Sequence, residues 1–203
     1  MKDFWNQRYK AKEYAYGQKP NDYLKSKLTN LTPGKILFPA DGEGRNSVFA
    51  ASLGWETYAF DLSLEGRNKA LALAEKQGLF IDYKVGDLAD LLYTKEEFDA
   101  MALIFAHFPA SKKSEYHKRL VTYLKSGSVL LFEAFSKEHL RFNFENPQVG
   151  GPKDFEQLFS IEELKEDFSH FHILELYETE VELSEGLFHN GKGSVIRFLG
   201  EKK

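Results

Sequence analysis

The sequence predicts an α/β fold: an open, mostly parallel sheet that finishes in an antiparallel hairpin. Three observations carry this expectation. An apolar run from Lys35 to Pro39 stops at the glycine turn Gly42-Glu-Gly44 and is followed by a helix-like segment from Ser47 to Leu53. A second apolar run, Trp55 to Phe60, ends in a lone acid, Asp61. Late in the chain, His172 to Leu183 alternates apolar and polar residues, and Gly193 to Leu199 reads as a further strand. Strand–helix alternation implies parallel strands with right-handed crossovers, and two strands joined by a turn-rich segment imply a hairpin.

Taken in order, residues 3 to 28 read as helical and amphipathic, broken by Gly17 and Pro20. Thr32-Pro-Gly34 is a turn that introduces the first strand, 35 to 39. The second strand is 55 to 60. A charged helical stretch, Leu64 to Gln77, stops at Gly78, and Phe80 to Val85 forms the third strand. The fourth strand is Asp99 to Ile104. Ser111 to Leu124 reads as a helix with Lys125-Ser-Gly127 as its stop, and Ser128 to Phe135 is the fifth strand. A short helix, Ile161 to Phe168, precedes the hairpin. A chain of 203 residues with no repeat and no low-complexity tract fits one domain, 1–203, with residues 1–30 as an N-terminal helical lid segment.

The glycine turn and the acid together read as a nucleoside-cofactor site. Glycine lets backbone approach a ligand closely, and an acid at the tip of the next strand accepts hydrogen bonds from a ribose diol. The dinucleotide fingerprint needs glycine at its first, third and sixth positions; the window Gly42-Glu-Gly-Arg-Asn-Ser47 has serine at the sixth, which argues against a nicotinamide oxidoreductase. Asp87 closes the third strand, Arg45 and Asn46 open a helix, and His107 follows the fourth strand.

The stretch from Lys35 to Ser47 resembles motif I of the class I S-adenosylmethionine (SAM) methyltransferases, in the form of the tellurite-resistance and thiopurine methyltransferase-like group. Phe4-Trp-Asn-Gln-Arg-Tyr9 and Tyr16-Gly-Gln-Lys-Pro-Asn-Asp-Tyr23 resemble that group's opening segment. Val85-Gly-Asp-Leu-Ala-Asp-Leu91, Ile104-Phe-Ala-His-Phe-Pro109, Gly150-Gly-Pro-Lys153 and His189-Asn-Gly-Lys-Gly-Ser-Val-Ile-Arg197 resemble its later motifs, in order along nearly the whole chain. The resemblance implies a seven-stranded sheet in the order 3-2-1-4-5-7-6. It implies SAM as cofactor, with S-adenosylhomocysteine (SAH) as product, and a small, soft methyl acceptor such as a thiol or a selenium or tellurium species. Asp61 then holds the ribose with Leu62 beside it, and Asp87 and the Leu88 N–H face the adenine. Asp41, Gly42, Gly44, Asn46, Phe105 and Tyr16 complete the cofactor site. Arg45 holds either the cofactor carboxylate or an anionic substrate. His107 is the candidate catalytic base, and His107, Lys153, His189 and Arg197 are the candidate substrate residues. The chain departs from the family where an acid and a first glycine are common, at Phe38 and Ala40; Asp41 or Glu43 is expected to take the acid's place. These departures also leave a non-catalytic cofactor-binding protein as an alternative.

Composition narrows the rest. The chain has no cysteine, so disulfides, thiolate metal sites and a cysteine nucleophile are excluded. A net charge of −4 argues against a broad nucleic-acid face. No long apolar span is present and the N-terminus is polar and aromatic, so no membrane partner is expected, the location is expected to be cytoplasmic, and the protein is expected to be a monomer or homodimer. The aromatics Trp5, Tyr9, Tyr14 and Tyr16 are expected to cover the site. His117, His139, His170 and His172 show no metal-ligand spacing, and no metal is expected.

Overall fold

The computed structural model describes all residues, 1–203. Its sheet has seven strands: β1 (Lys35–Pro39), β2 (Glu56–Asp61), β3 (Asp82–Val85), β4 (Phe98–Ile104), β5 (Leu124–Phe135), β6 (Phe171–Glu185) and β7 (His189–Lys202). Their order is β3-β2-β1-β4-β5-β7-β6, as expected. The first five run parallel; β7 inserts antiparallel between β5 and β6. The helices are α1 (Lys2–Tyr9), α2 (Asp22–Leu28), α3 (Arg45–Ser52), α4 (Leu64–Lys76), α5 (Lys113–Leu120), α6 (His139–Glu145) and α7 (Ile161–Asp167).

Strand alternation feeds two cores. Leu37, Met101, Leu103 and Phe132 point to one face of the sheet, and Ile36, Phe38, Ala100 and Ala102 to the other. Both faces are dry because helices cover a parallel sheet on both sides. Phe38 is fully buried among apolar side chains, so this position serves packing and reaches no ligand.

Several boundaries differ from expectation. The 3–28 segment is helical only at its two ends. Residues between are turns: Gly17 adopts φ 73°, and Asn21 caps α2 by accepting from the Leu24 N–H at 2.9 Å. Lys125-Ser-Gly127 is no helix stop; it lies inside β5, beside a register irregularity against β4. The hairpin strands are longer than expected, because they turn through only Gly186-Leu-Phe188. α6 had no helical signature: Leu140, Phe142 and Phe144 alternate as in a strand, and Phe144 is exposed. No helix is long and apolar enough to cross a membrane.

Candidate active site

A cavity of about 580 Å³ opens at the carboxyl ends of the parallel strands, the place where open α/β sheets bind ligands. Its floor is the loop after β1. Gly42 (φ 64°) and Gly44 (φ 85°) are both left-handed; a Cβ on Gly42 would lie 2.6 Å from the Tyr9 hydroxyl, and one on Gly44 would lie 2.5 Å from Ala70 Cβ. Both positions therefore require glycine, but only Gly42 lines the cavity; Gly44, expected in the cofactor site, packs against Ala70 of α4 instead. Two other wall residues, Ala40 (φ 54°) and Phe105 (φ 50°), are left-handed without being glycine. They end adjacent strands, β1 and β4, so backbone strain is concentrated at the cavity.

Asp61 is 6% exposed. Its Oδ2 accepts from the Gly42 N–H at 3.0 Å and its Oδ1 from the Ser63 N–H at 2.9 Å. The acid thus locks the glycine loop to the tip of β2 from a buried position. Burial outweighs these donors and raises its pKa to about 6. Leu62 also lines the cavity. Asp41 is half-buried as a residue, but its carboxyl is desolvated and its pKa is pushed up to about 8. Its Oδ2 accepts from the Ser47 hydroxyl, while Oδ1 is buried with no partner. Glu43 is committed elsewhere: it accepts from the Ala15 N–H at 2.7 Å and pairs with Lys69 at 2.7 Å. Of the two acids considered for the amino-acid end of a cofactor, Asp41 is the free one.

At the opposite wall, Asp87 Oδ1 accepts from the Ala89 N–H at 3.0 Å and the Tyr116 hydroxyl at 2.6 Å. Burial pushes its pKa up, but these donors win and hold it below the usual range. Both bonds fall on one oxygen, which leaves the other for a ligand. Leu88 beside it is buried and lines the cavity. Asn46 also lines it, with its Oδ1 accepting from the Asn21 N–H at 3.0 Å. Arg45 is not free: its guanidinium pairs with Glu185 at 2.9 Å and reaches the Tyr16 carbonyl at 3.4 Å.

The aromatic end holds Phe105, His107, Tyr16 and His189. The His107 ring lies parallel to Phe135, centroids 6.0 Å apart. Both its nitrogens are buried without partners, and burial drives its pKa down to about 3. His189 sits 4.4 Å from the Tyr16 ring and 4.8 Å from Phe105. Gly150 and Gly151 have φ 73° and 84°, and a Cβ on Gly150 would strike the Phe188 carbonyl at 2.3 Å. That turn carries exposed Lys153 to the cavity rim.

Arg197 is not among the lining residues. It ion-pairs with Glu133 across β5 and β7 and lies 4.9 Å over the Tyr23 ring. Of the N-terminal aromatics, Trp5, Tyr9 and Tyr16 reach the cavity; Trp5 stacks on Tyr9 at 5.5 Å. Tyr14 packs outside, its hydroxyl donating to the Lys69 carbonyl at 3.2 Å. Sequence reasoning missed Glu185 and Asn21. Glu185 looks like one more acid on the polar face of a strand; its one signal is a histidine four residues on, across the Gly186 turn.

Residues 36–127 match a family model described as a methyltransferase domain. No curated protein sequence matches the chain. Among solved structures, one from work on conversion of a disulfide bond into a thioacetal group during echinomycin biosynthesis is similar over 100% of this chain and 92% of its own, with 17% identity and a TM-score of 0.79. TehB from Haemophilus influenzae is similar over 100% of this chain and 67% of its own, with 20% identity and a TM-score of 0.71. Magnesium protoporphyrin IX methyltransferase from Synechocystis PCC 6803, solved with SAH bound, is similar over 89% of this chain and 82% of its own, at 15% identity and a TM-score of 0.67. The chain therefore has the class I fold of the SAM-dependent methyltransferases, with a methyltransferase domain matched over residues 36–127.

Proposed function

We propose that the protein is a SAM-dependent methyltransferase acting on a small acceptor, a thiol or a selenium or tellurium species. The observation that carries this reading is the pair of acids at the cavity floor. Asp61 offers a carboxylate at the tip of β2 beside Gly42, which lines the cavity, and Asp41 Oδ1 is a buried acceptor with no partner. The first fits a ribose diol and the second an ammonium group, which are the two polar ends of SAM. Asp87 and Leu88 fit the adenine edge between them.

When bound, SAM supplies a sulfonium methyl that passes to the acceptor, with the carbon–sulfur electron pair staying on sulfur as a neutral thioether. The chain's own residues bind, orient and exclude water. Trp5 and Tyr9 close one side of the cavity, and aromatic faces favour a cation. Alignment of donor and acceptor alone contributes up to roughly 7–11 kcal/mol. The acceptor is small because the cavity must also hold the cofactor. The walls of Phe105, Phe108 and Phe188 suit a soft, weakly hydrated nucleophile, and the likeness to a structure from disulfide-to-thioacetal work supports sulfur.

Calorimetry with SAH and with NAD, followed by methyl-donor consumption over thiols, selenite and tellurite, tests the reading. Binding of SAH but not NAD, with consumption dependent on one acceptor, is expected. Absence of SAH binding would overturn it, and binding without consumption of SAM would favour a non-catalytic role.

A further inference from the structure

Two histidines, His107 and His189, line the cavity and a third, His139, packs behind them on Phe135; their hydrogen bonds separate their roles. His107 has no partner on either nitrogen, both are buried, and the ring stays neutral far below physiological pH. It is poorly suited to carry a proton. His139 has both nitrogens committed: Nε2 donates to the Gly150 carbonyl at 3.0 Å, and Nδ1 accepts from the Ser194 N–H at 3.3 Å. His189 has only one committed. Its Nδ1–H donates to Glu185 Oε2 at 2.9 Å, which leaves the Nε2 lone pair for the cavity that the ring lines. A carboxylate on Nδ1 fixes the tautomer and stabilises the imidazolium that forms when Nε2 takes a proton.

Glu185 is itself held in place. Arg45 donates to the same oxygen at 2.9 Å, and Asn21 Nδ2 reaches Oε1 at 3.4 Å. Burial pushes the Glu185 pKa up, but the bonds from His189 and Arg45 win and bring it to about 2. The turn that carries it is bound to the N-terminal segment: the Leu187 N–H donates to the Ala15 carbonyl at 2.8 Å, and a Cβ on Gly186 would lie 2.4 Å from the Gly17 nitrogen.

We propose that Glu185 and His189 form a dyad in which His189 Nε2 takes the acceptor's proton and Glu185 is the positioning residue, so that the acceptor arrives protonated, as a thiol. This rests on the methyl-transfer reading above. In the step, the acceptor's bond to hydrogen breaks, the proton goes to His189 Nε2, and the electron pair left behind forms the new bond to the transferred methyl. Nδ1–H stays on Glu185 throughout, and the imidazolium later returns its proton to water.

The groups facing His189 are Glu185 from β6, Arg45 from α3, Arg8 from α1, Tyr16 from the N-terminal segment, His139 from α6 and His107 after β4. Burial and the two arginines lower the His189 pKa, and Glu185 raises it. Removing that carboxylate must therefore lower it further.

Imidazole nitrogen NMR on the full chain saturated with SAH tests this. The wild type should show His189 neutral at pH 7.5 with its proton on Nδ1. Glu185→Gln should abolish that tautomer preference and lower the His189 titration midpoint by about 1–3 pH units. His107→Gln should leave both unchanged. A wild-type His189 carrying its proton on Nε2, or charged at pH 7.5, would overturn the dyad, and that measurement does not depend on any variant folding. A midpoint unmoved in a folded Glu185→Gln variant would also overturn it. Failure of SAH to bind at all would instead sink the methyl-transfer reading.

Discussion

At the scale of single residues, the two floor acids have different burdens. Asp61 serves the fold as well as the proposed ribose site, because Gly42 and Ser63 both donate to it. Asp61→Ala should weaken SAH binding by about 2–4 kcal/mol, from lost charged hydrogen bonds of roughly 1.5–3 each that do not fully add. It should also destabilise the ligand-free protein by about 1–3 kcal/mol, since two N–H groups lose their acceptor. Calorimetry and thermal melts measure the two losses separately; unchanged SAH affinity would remove Asp61 from the site. Asp41 has the opposite character. Its pKa, raised by burial to about 8, lies above that of the unfolded chain. Its contribution to stability is therefore present below the unfolded value and is lost as pH rises toward 8. An ammonium set against Oδ1 restores the carboxylate, so SAH binding at pH 7 should release a proton. Calorimetry in buffers of differing ionisation enthalpy should detect that proton for the wild type and not for Asp41→Asn.

At the scale of elements, the N-terminal segment divides in two. α1 has eight residues and no side-chain cap at Met1; a helix that short is marginal without tertiary support. Residues around Ala15 are instead fixed, through Glu43 and Leu187. Removing residues 1–9 should leave the sheet folded and weaken SAH binding tenfold or more, because Trp5 and Tyr9 no longer cover the loop. Amide exchange in Lys2–Tyr9 should slow when SAH binds, while that around Ala15 changes little. Equal exchange with and without SAH would make α1 plain packing. The parallel strands, α3, α4 and α7 were legible in the sequence because each couples an apolar run to a glycine, proline or capping stop. α6 was not, since its apolar residues alternate. Nor was the extent of the hairpin's second strand, since β7 begins with His189-Asn-Gly-Lys192 and ends with Gly200-Glu-Lys202, residues that read as turn and solvated surface.

At the scale of the whole molecule, the half of the cavity proposed for the cofactor was largely legible because its lining residues lie one loop beyond each strand end, and loop position is a local signal. The acceptor half was less so. Its contacts join residues far apart in the chain, such as Arg45 with Glu185 and Asn21 with Glu133, and these arise only when the hairpin and the N-terminal segment fold back onto the sheet. Arg197 shows the consequence. Read in sequence it was a substrate residue, yet in the fold it neutralises Glu133, a buried acid on β5 that also accepts from Asn21 at 2.6 Å. Losing one partner of a buried pair leaves an uncompensated charge, which costs about 3–5 kcal/mol, whereas replacing both by apolar groups is often close to neutral. Arg197→Ala should thus lower the melting temperature by roughly 6–20 °C, at about 2–4 °C per kcal/mol for a chain of this size. Arg197→Met combined with Glu133→Met should recover most of that loss, because the stranded carboxylate is gone. Thermal melts of the single and double variants decide between the two roles. A folded Arg197→Ala with unchanged melting but a raised Michaelis constant for an anionic acceptor would return Arg197 to the substrate site; a melting loss rescued by the second substitution assigns it to the joint that holds the hairpin to the sheet.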